Sequence, residues 1–361
     1  MNIVTTLCTD RNDRSYNYQL YYQSNEERRK TYWKCAVTFF ASAKKIYPEQ
    51  RLILFTNDEK PVIINRTDIR GFLKSLGVEI RTEAYTYRPP ARFSSYLTNN
   101  FYKFETIRLL GMEDSPSVLL DSDVFFTKRD EHFVNLVEAG ETLLYDVYQK
   151  SDPGDRSNNH ISRRDQGMMF REIDPEYPVE YPVFWGGEII SGSPAVFQAI
   201  DQEFQKIFRY AIDHYENPPA FPSGRGFFDG NETIGNFIFN KIIASHVDAS
   251  QFIKRIWTVK GISEITPAIV DLPLWHMISE KDKGIPLLFD EALNPDSGFW
   301  TTPIDDFKAY LGGYLGVPER LHEYERPGLH RTFLPRVKNK FKQYKRLIFR
   351  QNKILLFAFI L

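Results

Sequence analysis

The first 125 residues alternate short apolar segments with segments of helical periodicity, and this alternation constrains the fold more than any other feature of the chain. Strands are predicted at Ile3–Cys8, Arg51–Thr56, Val78–Ile80 and Ser117–Leu120. Helices are predicted between them, at Trp33–Ile46, Ile69–Leu76 and Asn100–Leu110. Strands that alternate with helices predict an α/β fold, with helices on both faces of a mainly parallel sheet. Ligands of such sheets bind at the carboxyl ends of the strands.

The second half of the chain continues less regularly. A polar segment at Gln149–Arg164 predicts a loop. Strand-like segments are Val183–Trp185, Phe252–Trp257 and Ala268–Leu272, and helices are predicted at Pro194–Tyr215 and Asn231–Ala244. The 361 residues therefore have enough elements for one large α/β domain.

Composition narrows the class of protein. Hydrophobic residues make up 42% and charged residues 26%, which is typical of a folded globular protein, and a net charge of −1 argues against a nucleic-acid binder. Cys8 and Cys35 are the only two cysteines, too few for a disulfide framework or a thiolate metal site. The N-terminus does not have the pattern of a signal peptide, and no run of about 20 apolar residues occurs. We therefore expect a cytoplasmic protein.

The most informative motif is Asp121-Ser122-Asp123, directly after the apolar strand Ser117–Leu120. Residues i and i+2 of an extended chain face the same side, so both carboxylates are expected to point together. Two adjacent carboxylates are costly without a cation, and hard oxygen ligands suit Mg²⁺ or Mn²⁺. The alternative is a turn or a helix cap at the end of the strand, since an Asp-x-Asp pattern arises by chance in a chain this long.

Ordered blocks of the sequence resemble the glycosyltransferases of the GT-A fold. The resemblance covers roughly residues 2–290 and is nearest to family 8 and to related lipopolysaccharide or capsule transferases. It rests on four blocks, which are Asn2–Thr9, Arg51–Asp58, Phe101–Leu110 and Val118–Phe126. The resemblance implies an α/β fold of the GT-A (Rossmann-like) type, with residues 1–330 as the transferase domain.

The resemblance also implies roles for individual residues. Asp121 and Asp123 would bind the divalent cation and the diphosphate of a nucleotide-sugar. Lys103 or Arg108 would contact the phosphates or the donor sugar. The loop after the first strand would receive the nucleotide, with Thr6 and Cys8 among its contacts.

Family 8 carries a late histidine that completes the metal shell, followed by a glycine and a lysine that meets the diphosphate. The segment Leu274–Lys283 provides His276 at the matching position. The expected glycine is absent, and either Lys281 or Lys283 could be the lysine. A histidine nitrogen would favour Mn²⁺ over Mg²⁺. The alternatives are a core or surface histidine and two solvated lysines.

Two further blocks resemble parts of these enzymes that contact the reacting sugars. Gly186-Gly187-Glu188 resembles the segment of small residues that lines the donor sugar, and Gly187 is the implied contact. Glycines let a backbone approach a ligand closely, although the pair could instead form a tight turn.

Phe228–Thr233 resembles a later acidic block that opens a helix near the reacting sugar. Asp229 or Glu232 would then serve catalysis or contact the acceptor, although Asp229 or Asn231 could simply cap the helix. A transferase that inverts the anomeric configuration needs a carboxylate base, and Asp229, Glu232 and Glu188 are candidates. The likeness to family 8 favours retention, and the residues leave the choice open.

The C-terminal segment differs in character from the rest of the chain. From Arg331 to Leu361 there are nine basic residues and no acidic one, mixed with aromatic and aliphatic residues. This pattern predicts an amphipathic tail, at residues 331–361, that lies on an anionic membrane surface. The alternative is a helix that packs on the acidic body.

Three functions are compatible with these residues. The first is a metal-dependent glycosyltransferase that uses a nucleotide-sugar donor, with a UDP-sugar favoured, and a glycan or glycolipid acceptor of the cell envelope. The second is a sugar nucleotidyltransferase, which needs a glycine-rich loop after the first strand, whereas Thr5–Asn12 contains no glycine. The third is a non-catalytic glycan- or membrane-binding protein.

Overall fold

The structure is a computed structural model that describes residues 1–9, 20, 23–90, 98–147, 152–155, 161–214, 216–259 and 265–322. Met1–His322 forms one compact unit. The predicted tail and the predicted domain boundary at residue 330 lie outside the described residues, as does half of the polar segment Gln149–Arg164. No described helix is long and apolar enough to cross a membrane.

Twelve strands are assigned in the described part of the chain. They are β1 (Asn2–Leu7), β2 (Arg51–Thr56), β3 (Ile63–Ile64), β4 (Thr67–Asp68), β5 (Val78–Thr82), β6 (Ser117–Leu120), β7 (Val124–Phe126), β8 (Leu143–Asp146), β9 (Trp185–Gly192), β10 (Val247–Asp248), β11 (Ile253–Arg255) and β12 (Leu274–His276).

The α-helices of the described residues flank and connect these strands. They are α1 (Asn25–Ile46), α2 (Ile69–Ser75), α3 (Tyr102–Leu110), α4 (Glu131–Glu138), α5 (Arg163–Ile173), α6 (Pro194–Asp213), α7 (Asn231–Ile242), α8 (Pro267–Val270), α9 (Gly284–Leu293), α10 (Gly298–Thr301) and α11 (Ile304–Leu315).

The main sheet has seven strands in the order β10-β8-β9-β6-β1-β2-β5. Strand β1 pairs in parallel with β2 and β6, β2 with β5, and β8 with β10. Strand β9 is antiparallel to both of its neighbours, β6 and β8. The predicted α/β class with a central, mainly parallel sheet is therefore confirmed.

A second sheet, in the order β11-β12-β7, lies where the chain leaves the main one. Strand β12 is parallel to β11 and antiparallel to β7. Because β7 follows β6 after only three residues, the two sheets are joined by the turn that contains the Asp-x-Asp motif.

The central strands bury side chains on both faces of the main sheet. Ile3, Val118 and Leu120 belong to one apolar cluster, whereas Val4 and Leu119 belong to a second. Alternate residues of a strand point to opposite faces, so this division places one core on each side of the sheet. Burial on both sides explains why β6 is continuously apolar.

One element was predicted with the wrong secondary structure. The segment Ala268–Leu272 was predicted as a strand, but residues 267–270 form the short helix α8. Thr266 is the N-cap, and its side chain accepts a hydrogen bond from the backbone N–H of Ile269. Pro267 occupies the first helical turn, where its missing N–H costs nothing.

Helix α1 begins eight residues before the predicted start at Trp33. Ser24 is its N-cap, and Ser24 and Glu27 form a capping box in which each side chain accepts from the other's backbone N–H. The first turns are polar, so apolar periodicity alone placed the start too late.

Truncation of Leu119 to alanine tests the role of β6 in the core. Leu119 is completely buried, and we expect the free energy of unfolding to fall by about 2–5 kcal/mol because a cavity forms in a strand packed on both faces. Urea denaturation measures the change. The control Met112→Ala, at a side chain that is 68% exposed, should change it by less than about 0.5 kcal/mol. Equal effects of the two substitutions would contradict the assignment.

Candidate metal and diphosphate site

The two aspartates lie in the turn that connects the two sheets. The N–H of Asp121 donates to the carbonyl of Glu188 on β9 at 3.1 Å, which extends the pairing beyond Leu120. The N–H of Val124 then donates to the carbonyl of Asp121 at 3.1 Å and closes a turn around Asp123. The expected convergence of the carboxylates is confirmed, but a turn produces it rather than the predicted extended chain.

His276 reaches the same place from the second sheet. Strand β12 runs antiparallel to β7, with His276 opposite Val124. The N–H of Met277 donates to the carbonyl of Asp123 at 2.9 Å and continues that pairing. One ligand atom each of Asp121, Asp123 and His276 consequently lie within 4.8 Å of one another.

Each aspartate has its own lysine partner. The lysine binds one carboxylate oxygen, and the second oxygen of that carboxylate faces His276. Lys103 Nζ donates to Asp121 Oδ1 at 2.6 Å, and Lys281 Nζ donates to Asp123 Oδ2. The remaining oxygens, Asp121 Oδ2 and Asp123 Oδ1, lie 3.7 Å and 3.4 Å from His276 Nε2. Two carboxylate oxygens and one imidazole nitrogen therefore face a common point.

The electrostatics of this group are those of a buried charge cluster. Burial raises the pKa of Asp123, but the charges of Lys281 and His276 outweigh burial and hold that pKa far below its usual range. Burial lowers the pKa of His276, but Asp123 and Glu188 more than offset it and raise the pKa to about 9. The carboxylates thus attract positive charge onto the imidazole, and a divalent cation would supply that charge instead.

The donor set fits a divalent cation. Carboxylate oxygens with one imidazole suit Mn²⁺, and the nitrogen makes Mg²⁺ a weaker match. Asp121, Asp123 and His276 would hold the ion, and the lysines keep the two carboxylates oriented.

The group forms one wall of a cavity of about 300 Å³. The predicted site residues that line this cavity are Thr6, Cys8, Lys103, Asp121, Asp123, Gly187, Glu232, His276 and Lys281. The structure therefore gathers residues from β1, α3, the β6–β7 turn, β9, α7 and β12 in one place.

Three other predicted residues are not among those that line the cavity in the described chain. Arg108 pairs with Glu105 on the same helix at 3.3 Å. Lys283 occupies the N-cap position of α9. Glu188 is completely buried. The side chain of Asp229 lies outside the described residues.

The backbone excludes the tight turn that was the alternative to a site role for the glycine pair. Gly186 and Gly187 lie inside strand β9 and not in a tight turn. A Cβ at Gly186 would approach the Glu188 carboxylate to 2.2 Å, so a larger residue there would displace that carboxylate. The N-cap of α7 is Gly230, which has no side chain to cap the helix.

Arg255 binds both the buried carboxylate of Glu188 and the partly exposed carboxylate of Glu232. Its Nε and Nη2 donate to Oε1 and Oε2 of Glu188, both at 2.7 Å, and Nη2 also donates to Glu232 Oε1 at 2.6 Å. Burial raises the pKa of Glu188, but Arg255 and His276 outweigh it and lower the pKa to about 2. Glu188 is thus an ionised carboxylate with both oxygens engaged, which fits poorly with the predicted role of a base.

Sequence reasoning missed Arg255 and Trp257, which also line the cavity. Both lie in the predicted strand Phe252–Trp257. What would have identified them is the pairing of β11 with β12, the strand that contains His276. Arg255 lies opposite His276 in the parallel pair of β11 and β12. That pairing joins segments that are distant in sequence, so periodicity alone could not reveal it.

A second, open cavity of about 900 Å³ adjoins the first, and Cys8, Tyr32 and Asn99 line both. Its other walls include Asn57 and Asp58 after β2 and residues 83–85 after β5. The two cavities together therefore follow the carboxyl ends of the parallel strands, where ligands of such sheets bind.

No protein-family model matches the chain, and no curated protein matches it in sequence. Solved structures match it in shape. The galactosyltransferase LgtC in complex with donor and acceptor sugar analogues is 12% identical with a TM-score of 0.46, over 87% of this chain and 96% of that chain. An active-site mutant of LgtC is 12% identical with a TM-score of 0.43, over 76% and 86%. Mouse xyloside xylosyltransferase 1 is 13% identical with a TM-score of 0.40, over 76% and 97%. At identities and TM-scores this low the likeness carries no argument, and the function proposed below rests on contacts within this chain.

The two thiols test the geometry of the cavity. Cys35 is completely buried, and burial raises the pKa of its thiol to about 12, so almost no reactive thiolate exists at neutral pH. Cys8 is half-buried in the cavity wall. We expect a disulfide reagent to modify Cys8 in the native protein and Cys35 only after unfolding, as counted by mass spectrometry. Cys8→Ser should remove the native reaction, and rapid modification of Cys35 would contradict the fold.

Proposed function

We propose that this chain is a metal-dependent glycosyltransferase of the GT-A type, which transfers a sugar from a nucleotide-diphosphate sugar to a hydroxyl group of a glycan or glycolipid. The observation that carries the proposal is the arrangement of Asp121, Asp123 and His276 around one point, with a lysine on each aspartate. This cluster lies in a cavity at the carboxyl ends of parallel strands.

The charges of the cavity suit a diphosphate leaving group. A bound Mn²⁺ or Mg²⁺ would neutralise the negative charge that develops on the diphosphate as the sugar departs. Lys103 and Lys281 line the same cavity and carry positive charge next to the cation ligands. These lysines can contact phosphate oxygens while they remain beside Asp121 and Asp123.

The size of the cavities supports a nucleotide-sugar as the donor. The first cavity, at about 300 Å³, is at the lower end of the range for ligand pockets, which is roughly 300–1,000 Å³. The adjoining cavity of about 900 Å³ has room for a nucleoside beside Cys8 and Tyr32. We infer that the diphosphate and sugar occupy the first cavity and the nucleoside, with uridine favoured, the second.

The acceptor side of the site centres on Glu232. Its side chain is 34% exposed, lines the cavity and is held by Arg255. We propose that the Glu232 carboxylate contacts the acceptor hydroxyl. In an inverting reaction it would act as the base, and in a retaining reaction it would orient the hydroxyl. Gly187 lines the cavity opposite Asn231 and Glu232, at the position proposed for the donor sugar.

We also propose that the C-terminal tail, residues 331–361, binds an anionic membrane surface. Its nine basic residues would contribute about 1 kcal/mol each near anionic lipid and bring the site to a lipid-linked acceptor. We expect the full chain to sediment with phosphatidylglycerol vesicles at low salt, and a chain ending at residue 330 not to do so. Equal sedimentation of both chains would refute a membrane role for the tail.

Thermal unfolding with ligands tests the central proposal. Mn²⁺ and UDP together should raise the melting temperature of the wild-type protein by several degrees, because ligands that bind only the folded state stabilise it by mass action. Asp123→Asn should abolish this shift, and so should Asp121→Asn, at the less buried of the two aspartates. The control Asp213→Asn, at an exposed aspartate at the end of α6, should retain it.

Turnover of a panel of nucleotide-sugars then identifies the reaction. Transfer in Mn²⁺ should be lost with EDTA and with either aspartate variant. Undiminished transfer by Asp123→Asn refutes the metal site, and pyrophosphate release from a sugar phosphate and a nucleoside triphosphate indicates a nucleotidyltransferase instead. Failure of every nucleotide-sugar to stabilise the protein, with or without Mn²⁺, would favour a non-catalytic binder.

A further inference from the structure

The imidazole of His276 has one nitrogen that the described residues leave without a hydrogen bond. Nε2 faces the carboxylates of Asp121 and Asp123, whereas Nδ1 is buried and has no partner at hydrogen-bond distance. A buried polar atom in this state is costly and calls for an explanation. The carboxylate oxygen that faces it is Oε1 of Glu188, at 3.9 Å.

Glu188 is held at this place from two directions. The backbone of β9 fixes it next to the β6–β7 turn, since its carbonyl accepts from the N–H of Asp121. Its carboxylate is held by the bidentate contact with Arg255, which lies opposite His276 in the neighbouring strand. Gly186, on the same side of β9, leaves the space that this pair occupies.

We propose that Glu188 is a positioning residue for the metal ligand His276. Its Oε1 accepts a hydrogen bond from Nδ1–H, so the proton resides on Nδ1 and the lone pair of Nε2 points at the cation. The ring needs to approach by about 0.9–1.0 Å to reach the usual hydrogen-bond length of about 2.9–3.0 Å. A ligating histidine typically donates its second N–H to a carboxylate in this way. The inference rests on the proposed function, since it assumes a cation between Asp121, Asp123 and His276.

Arg255 fixes the orientation of the Glu188 carboxylate, which is completely buried. Its hydrogen bonds to Oε1 and Oε2 hold the carboxylate with Oε1 facing Nδ1 of His276. Its third hydrogen bond holds Glu232 at the cavity wall. One arginine thereby connects the residue that orients the metal ligand to the residue proposed to contact the acceptor.

Mn²⁺ affinity of the full-length protein, measured by electron paramagnetic resonance without substrate, tests the role of Glu188. Glu188→Gln should weaken binding by about 10- to 100-fold, the usual effect of removing a carboxylate that orients a ligand. The matched control is Glu203→Gln on α6. This residue is also a buried carboxylate, held by Lys206 and Lys241, and it does not line the cavity. The control should bind Mn²⁺ like the wild type.

The tautomer of His276 gives a second test of the inference. It is measured in the wild-type protein and so does not depend on whether Glu188→Gln folds. In wild-type protein loaded with diamagnetic Zn²⁺, nitrogen NMR should show His276 protonated at Nδ1 and ligated through Nε2. The signal is assigned by its loss in His276→Gln. The opposite tautomer, or wild-type Mn²⁺ affinity in a folded Glu188→Gln protein, overturns the inference and leaves the proposed function standing. A wild-type protein that binds neither ion overturns both.

Discussion

The site depends on the compensation of charge at one turn. Two carboxylates that are held together in a largely buried place repel each other, and the chain balances them with Lys103, Lys281 and His276. Each lysine takes one oxygen of one aspartate, and the histidine faces the oxygens that remain. The two carboxylate oxygens that no lysine binds therefore both face the histidine nitrogen, and this arrangement determines where a cation could be held.

The two sheets are what bring these charges together. Strand β6 of the main sheet ends at the turn, and β7 of the small sheet begins after it. The antiparallel β9 lies beside β6 and brings Glu188 and Gly187 to the same edge. Because β9 is antiparallel to β6, it is the amino-terminal end of β9 that lies beside the carboxyl end of β6.

The sequence predicts local features of this molecule better than long-range ones. Arg51–Thr56 and Ser117–Leu120 are strands with the predicted bounds, because a continuous apolar segment between turn residues has few alternatives. Asp121 and Asp123 were predicted from their spacing directly after an apolar strand, and His276 from the resemblance to family 8. The partnership of Arg255 with Glu188 was not, because it depends on which strands pair across the small sheet. Ala268–Leu272 was wrong since a helix start at Thr266 outweighed β-branched composition.

The pairing of each aspartate with its own lysine also bears on how the protein is made. In many structural zinc domains the free energy of metal binding is the free energy of folding, so the chain without its ion is unfolded. Here the ammonium groups of Lys103 and Lys281 already offset the repulsion between the two carboxylates within the polypeptide. The proposed cation would therefore load onto a chain that is already folded, and a shortage of metal would leave the fold intact.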